Sequence, residues 1–337
     1  MNKEKLAEIA SAIVVSGKGI LAADESTPTM GKRLALINQE NTEENRRDFR
    51  QALFETDGME NFISGVILFE ETLEQKAADG RRLSEILESK GVIPGIKVDK
   101  GAHPMDNSPS EKLTKGLDGL YDRCVNYHSL GARFAKWRAV ITIGDGIPTD
   151  DCIRGNASAL AKYAKACQDA ELVPIVEPEV LMDGEHTIET CYEVSEKAFK
   201  AVFEELDNEG VYLPGILLKP NMVVSGKDCP VQGEMNAVAE MTVKCLKASV
   251  PAEVPGIVFL SGGQSETEAT EHLNAMNAMG EYPWVLSFSY GRALQQSALR
   301  AWSGQRENLE ITYATFYHRA EMNSKACFGE YSHSLEI

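Results

Sequence analysis

Lys219 stands at the end of the apolar run GILLKPN, a setting in which a lysine amine can be made nucleophilic. An amine attacks a carbonyl only when unprotonated, and holding an ordinary lysine neutral at pH 7 costs about 4.6 kcal/mol. Burial and a neighbouring cation both lower that cost, and Lys136 is a candidate neighbour from across the fold. Once protonated, the imine of such a lysine is an electron sink for carbon–carbon cleavage, so the chemistry needs no metal. The six histidines, His103, His128, His186, His272, His318 and His333, show no HxxxH or HxH spacing, and neither a metal nor a cofactor is expected.

Other apolar runs end in similar fashion, at Asp24, Glu70, Lys97, Lys136 with Arg138, Glu177 with Glu179, Ser261 and Arg292. Strand period two puts Lys136 and Arg138 on one face of their segment, and Glu177 and Glu179 on one face of theirs. A charge within an apolar strand is costly unless paired, so several of both signs imply a mutually compensated polar site.

Two glycine-rich turns, SGGQS at 261–265 and SYGR at 289–292, could bind anions through backbone N–H groups. Gly262 and Gly291 permit close approach of the backbone, and Arg292 can add charge-assisted hydrogen bonds. Lys97 with Arg138 forms a second cationic set. Two separated anion sites flanking reactive lysines and carboxylates imply a doubly phosphorylated substrate, and these residues leave the identity of the sugar open.

Elements able to gather these groups are visible as eight short apolar runs, at 19–24, 65–70, 92–99, 132–140, 172–180, 215–221, 256–262 and 284–291. Helix-periodic segments alternate with them, among them ASALAKYAKACQDA and SETEATEHLNAMNAMG. In the latter, Ser265 and Glu268 have capping-box spacing and Gly280 stands where the helix should stop.

Such alternation implies parallel strands joined by crossover helices. Eight units, with no GxGxxG and no linker-like break, predict an α/β fold of the (β/α)8 TIM-barrel type with additional N- and C-terminal helices. One domain is expected over residues 1–337, with core strands spanning about 19–291. Added helices are predicted at 1–16 and about 305–328, and YSHSLEI reads as a frayed end. In a barrel, the C-terminal strand ends and the loops after them form the active face, so the scattered charges would converge there.

Composition narrows the partners. A formal charge of −17 over 337 residues speaks against nucleic acid, although a local cationic cluster still acts within a Debye length of roughly 8–10 Å. Seven cysteines without a CxxC pair suggest reduced thiols rather than disulfides or a zinc knuckle. In the N-terminal segment, Leu6, Ile9 and Ile13 have amphipathic-helix spacing, and no apolar run approaches the roughly 20 residues that span a bilayer. A soluble protein is expected, with no membrane partner.

The segments GKGILAADEST, GVILFEETL, PGIKVDKG, ARFAKWRAV, VPIVEPEVL, GILLKPNMV, FLSGGQSE and LSFSYGRALQ together resemble class I fructose-1,6-bisphosphate aldolases of the animal and plant type, from about residue 5 to 331. The resemblance implies reversible cleavage of fructose 1,6-bisphosphate to dihydroxyacetone phosphate and glyceraldehyde 3-phosphate, in glycolysis and gluconeogenesis. It implies that Lys219 forms the Schiff base and that Glu177 is the acid/base, with Asp24 and Lys136 near C3 and C4 and Glu179 in support. It further implies that Ser261, Gly262, Gly291 and Arg292 hold the C1 phosphate, and that Lys97, Arg138, Ser26 and Arg33 engage the C6 phosphate or close over the substrate. A cytoplasmic homotetramer is the form common in the family.

Two departures accompany the resemblance. Many relatives carry a longer C-terminal arm ending in a tyrosine that assists proton exchange; here SLEI follows soon after Tyr331, which should not inherit that role. Pro28 and Thr29 stand where relatives often have Gly and Ser. The competing readings are another imine-forming sugar-phosphate aldolase or transaldolase, and a non-catalytic barrel scaffold. Activity on singly against doubly phosphorylated sugars separates the first of these.

Overall fold

In the computed structural model, which describes residues 1–336, eight parallel strands close into a barrel. They are β1 (Gly19–Ala23), β2 (Ile63–Leu68), β3 (Ile93–Lys97), β4 (Phe134–Ile141), β5 (Val173–Val180), β6 (Leu217–Leu218), β7 (Gly256–Phe259) and β8 (Val285–Tyr290). Each pairs with its sequence neighbours, and β1 closes on β8 through Ile20↔Ser289 and Leu21↔Tyr290. The longest register joins β4 to β5, from Phe134↔Val173 to Ile141↔Val180.

β1, β2, β5, β6 and β7 are buried along their whole length, as strands covered by helices outside and by packed side chains inside must be. Phe134 fills the lower barrel because Gly95 leaves room for it: a Cβ there would lie 2.2 Å from the ring. Ile20, Ile67, Phe134, Val173, Ile175, Leu217 and Val258 form an inner cluster with Leu6, Ala10 and Ile13 of the helix Lys3–Ile13. The expected N-terminal helix therefore plugs one end of the barrel, and the open end is left for chemistry.

The capping expectation holds in detail. Ser265 Oγ accepts from Glu268 N at 3.2 Å, and Glu268 Oε2 accepts from Ser265 N at 2.8 Å, at the start of the helix Glu266–Ala278. Gly280 follows that helix with φ +142, a conformation side chains rarely adopt.

Several expectations require correction. The run 215–221 yields only the two-residue β6, because Leu213–Gly215 is a 3-10 turn and Pro220 has no N–H to donate. The strand expected at 65–70 ends at Leu68, and Glu70 instead opens the helix Glu70–Glu74. An antiparallel hairpin, Ala102–Met105 with Ser108–Thr114, follows β3; its polar sequence carries no apolar alternation that would have announced it.

Up to Glu336 the C-terminal segment is not frayed, Ile337 lying outside the described residues. After the expected helix, here Leu309–Cys327, Tyr331 is buried and its hydroxyl donates to Glu336 at 2.8 Å. Arg319, also buried, donates to both oxygens of Glu336, at 2.5 and 2.6 Å. A buried guanidinium needs such a partner, and that need orders the tail.

Candidate active site

At the C-terminal ends of the strands lies a cavity of about 920 Å³. Every residue singled out for this site lines it: Asp24, Ser26, Arg33, Lys97, Lys136, Arg138, Glu177, Glu179, Lys219, Ser261, Gly262, Gly291 and Arg292.

The floor is a chain of ion pairs. β6 ends at Leu218, and Lys219 N donates to Val176 O at 2.8 Å, which holds the residue against β5. Lys219 Nζ lies 3.2 Å from Glu177 Oε1. The other oxygen of Glu177 lies 3.1 Å from Lys136 Nζ, which in turn is 2.7 Å from Asp24 Oδ2. β1, β4, β5 and β6 thus each contribute one charged group, or place it within a residue or so of the strand end.

The two lysines are not equivalent. Burial lowers the affinity of Lys219 for its proton, Lys136 adds to that effect, and the opposing pull of Glu177 and Asp24 does not make up the difference. Lys136 is equally buried, but Asp24, Glu177 and Asp99 outweigh the burial and hold it firmly protonated. Burial acts to raise the Asp24 carboxyl, yet Lys136, Lys219 and Lys97 hold it well below the ordinary carboxylate range. Glu177 is likewise held ionised against its burial, by Lys136, Lys219 and Arg138.

Around the rim several cations are paired with carboxylates. Lys97 Nζ is 2.6 Å from Asp99 Oδ1, Arg138 Nε donates to Glu179 Oε2, and Arg33 Nη1 is 2.5 Å from Glu25 Oε1. Glu70, which sequence placed at a strand end, accepts from Lys100 at 3.1 Å and from Tyr127 at 2.7 Å at the edge of the cavity. Arg33 lies beside the second glycine turn, with Nη2 3.6 Å from where a Cβ on Gly291 would sit. Ser26 Oγ and Thr29 Oγ1 share a 3.1 Å hydrogen bond at the head of the helix Thr27–Ala35.

The two glycine turns meet. Arg292, first residue of the helix Arg292–Trp302, donates through Nη2 to Gly262 O at 2.5 Å, and Gly262 adopts φ +54. Loop N–H groups, a helix N-terminus and an arginine are therefore grouped at one end of the cavity, a suitable seat for an anion.

Sequence reasoning missed Glu25, Asp99, Lys32 and Lys100, and named Ser289 only as the first residue of a glycine turn; all five line the cavity. Asp99 carried the same signal as its neighbours, an ionisable residue ending an apolar run. Ser289 is a small polar residue inside an apolar strand, and its buried Oγ has no hydrogen-bond partner. Among the described residues, no group of three or more His, Cys, Asp or Glu is placed to hold a metal ion.

A closed α/β barrel with two buried lysines beneath a suitable anion seat is the kind of fold and site on which a carbon–carbon lyase can be built. Residues 5–336 match fructose-bisphosphate aldolase class-I, and the chain belongs to that family. It is 53% identical over 332 residues to the probable fructose-bisphosphate aldolase class 1 of Xanthomonas campestris pv. campestris, covering 98% of this chain and 99% of that one. It is 52% identical to the cytosolic fructose-bisphosphate aldolase 4 of Arabidopsis thaliana, covering 97% of this chain and 84% of that one. Among solved structures it superposes with TM-score 0.97 on the fructose-bisphosphate aldolase of Plasmodium falciparum, determined with TRAP and a small-molecule inhibitor. Identity there is 51%, covering 98% of this chain and 96% of the other.

Proposed function

We propose that this class I fructose-bisphosphate aldolase cleaves fructose 1,6-bisphosphate through an imine on Lys219, with Glu177 moving the protons. The observation that carries the reading is the division of Glu177 between two lysines, 3.2 Å from Lys219 and 3.1 Å from Lys136. Transfer of one proton from Lys219 to Glu177 yields a neutral amine beside a carboxylic acid, while Lys136 keeps its charge.

The amine adds to the C2 ketone and forms a carbinolamine. Glu177 returns its proton to the departing hydroxyl, releasing water and leaving a protonated imine. A carboxylate, Glu177 or Asp24, then accepts the C4 hydroxyl proton. The C3–C4 bond breaks, its electrons pass to the imine nitrogen as an enamine, and glyceraldehyde 3-phosphate departs. Protonation of the enamine at C3 and hydrolysis of the imine release dihydroxyacetone phosphate and restore Lys219.

Ser261, Gly262, Gly291 and Arg292 hold the C1 phosphate in this reading. Lys97, Arg138 and Ser26 engage the C6 phosphate; Arg33 exchanges Glu25 for substrate as the cavity fills. Glu179 keeps Arg138 oriented. Every covalent intermediate is an adduct on Lys219, so turnover requires no added cofactor or metal and should resist EDTA. A cytoplasmic homotetramer in glycolysis fits the family match, and no helix among the described residues is long and apolar enough to cross a membrane.

Borohydride reduction in the presence of dihydroxyacetone phosphate, followed by peptide mapping, tests the assignment. A single adduct on Lys219, lost in Lys219→Met, is expected. An adduct on Lys136 or any other lysine overturns it.

A further inference from the structure

The 261–265 turn is shaped from behind by side chains outside the cavity. Gln264 is buried, and its Nε2 donates to Ser261 O at 3.2 Å and approaches Met222 Sδ at 3.6 Å. Its backbone N–H also donates to Ser261 O, at 3.1 Å. Ser261 O thereby accepts from both the backbone and the side chain of one residue, which fixes the peptide leading into Gly262.

The amide of Gln264 has two ends, and its orientation decides whether Nε2 or Oε1 faces Ser261 O. Only Nε2 can donate to that carbonyl; a flipped amide would set two oxygens against each other. The end facing away, Oε1, lies 2.5 Å from Nδ1 of His272, two turns along the helix Glu266–Ala278. An Nδ1–H there donates to Oε1 and selects the working orientation. Burial keeps the imidazole neutral, with its pKa pushed down to about 4, so the same tautomer serves throughout the neutral range.

We infer that His272 is a positioning residue for phosphate recognition, acting through Gln264 to set the 261–265 turn. It touches neither the substrate nor the reacting atoms. The inference deepens the phosphate assignment of that turn and rests on it. Its consequence is a separation of effects: losing the Nδ1–H donor should weaken capture of a phosphate while leaving the Lys219–Glu177 chemistry intact at saturation.

An asparagine at this position carries its amide nitrogen the same number of bonds from Cβ as Nδ1, and can donate to Gln264 in its place. An aspartate has the same shape but only accepts, so it should turn the Gln264 amide over and release Ser261 O. The isosteric pair His272→Asn and His272→Asp therefore isolates the donor, and His272→Ala removes the whole side chain.

The experiment measures kcat and KM for fructose 1,6-bisphosphate, and the inhibition constant of inorganic phosphate, in the wild type and the three variants. Borohydride trapping at saturating dihydroxyacetone phosphate is run alongside. Expected for His272→Asp and His272→Ala are rises of about five- to thirty-fold in KM and in the phosphate constant, the effect of about one hydrogen bond with its partner left unpaired. Their kcat and saturated trapping on Lys219 should stay within about two-fold of wild type, with His272→Asn close to wild type in every constant.

Equal KM values for the Asn and Asp variants overturn the inference, as does a loss confined to kcat. Should His272→Ala fail to fold, the Asn/Asp comparison decides alone, and failure of the Asp variant to fold while Asn folds and binds as wild type supports it. If inorganic phosphate does not compete with substrate in the wild type, the phosphate assignment itself falls, an outcome distinct from unchanged constants in the variants.

Discussion

The floor and the rim of the cavity use the same residue types to different ends. On the floor, charges are shared unequally: Lys136 touches two carboxylates, Asp24 and Glu177, whereas Lys219 touches only Glu177. At the rim, four cations each face one carboxylate: Lys97 with Asp99, Arg138 with Glu179, Arg33 with Glu25 and Lys100 with Glu70. Unequal sharing in a buried place separates the proton affinities of two like groups, which is what a nucleophile beside a permanent cation requires. Pairing a partly exposed cation with a single carboxylate parks that cation until a stronger anion arrives.

The comparison is broken most severely by Lys219→Met, which should lower kcat by at least ~10⁵-fold, as removal of a covalent nucleophile does. Glu177→Gln keeps the shape but cannot move a proton, and single-turnover kinetics should show a loss of about 10²- to 10⁴-fold. A residual rate near wild type would transfer the proton work to Asp24.

Stability should sort the two lysines in the opposite sense to their chemistry. Lys136→Met leaves Asp24 and Glu177 buried with too little positive charge, and urea unfolding should show a loss of about 3–5 kcal/mol. Lys219→Met relieves a buried amine whose proton affinity is already depressed, so its melting temperature should equal or exceed that of the wild type. Equal losses in both variants would mean that the sharing of Glu177 is symmetrical.

At the rim, Arg292→Ala removes the charged partner of the anion seat and should raise KM by roughly 10- to 100-fold with kcat changed far less. Arg138→Ala, whose guanidinium is already paired with Glu179, should show a smaller effect of the same kind.

Acid provides the mildest test. Asp24 and Glu177 are depressed in the folded state, so below the ordinary carboxylate values of about 4 the unfolded chain binds more protons than the folded one. Their stabilisation is complete above that point and is lost as pH falls through the folded values. The Lys136→Met variant, in which both carboxyls lose their main cation, should unfold at a higher pH in an acid titration followed by circular dichroism.

Much of this was legible in the chain. Runs such as GILAAD and GVILFE, spaced by helix-periodic segments, specified parallel strands, and the charges at their ends marked the face on which the cavity opens. Capping residues Ser265 and Glu268 were readable because both partners lie within one turn. Less legible were features with distant causes. The tail reads as a frayed end because its partner Arg319 is distant from Glu336 in the pattern, and the hairpin at 102–114 has no apolar period to betray it.

Sequence by itself determined the alternation of elements and the residue types near the strand ends, because periodicity and capping are short-range effects of the backbone. Only the tertiary structure decided who stands beside whom: that Glu177 divides itself between Lys136 and Lys219, that Arg33 rests on Glu25 next to Gly291, and that His272 reaches Gln264. Those neighbours are set by barrel closure and by how side chains pack in three dimensions. Charge interactions through a poorly screened interior depend on such distances far more steeply than on anything a local pattern encodes.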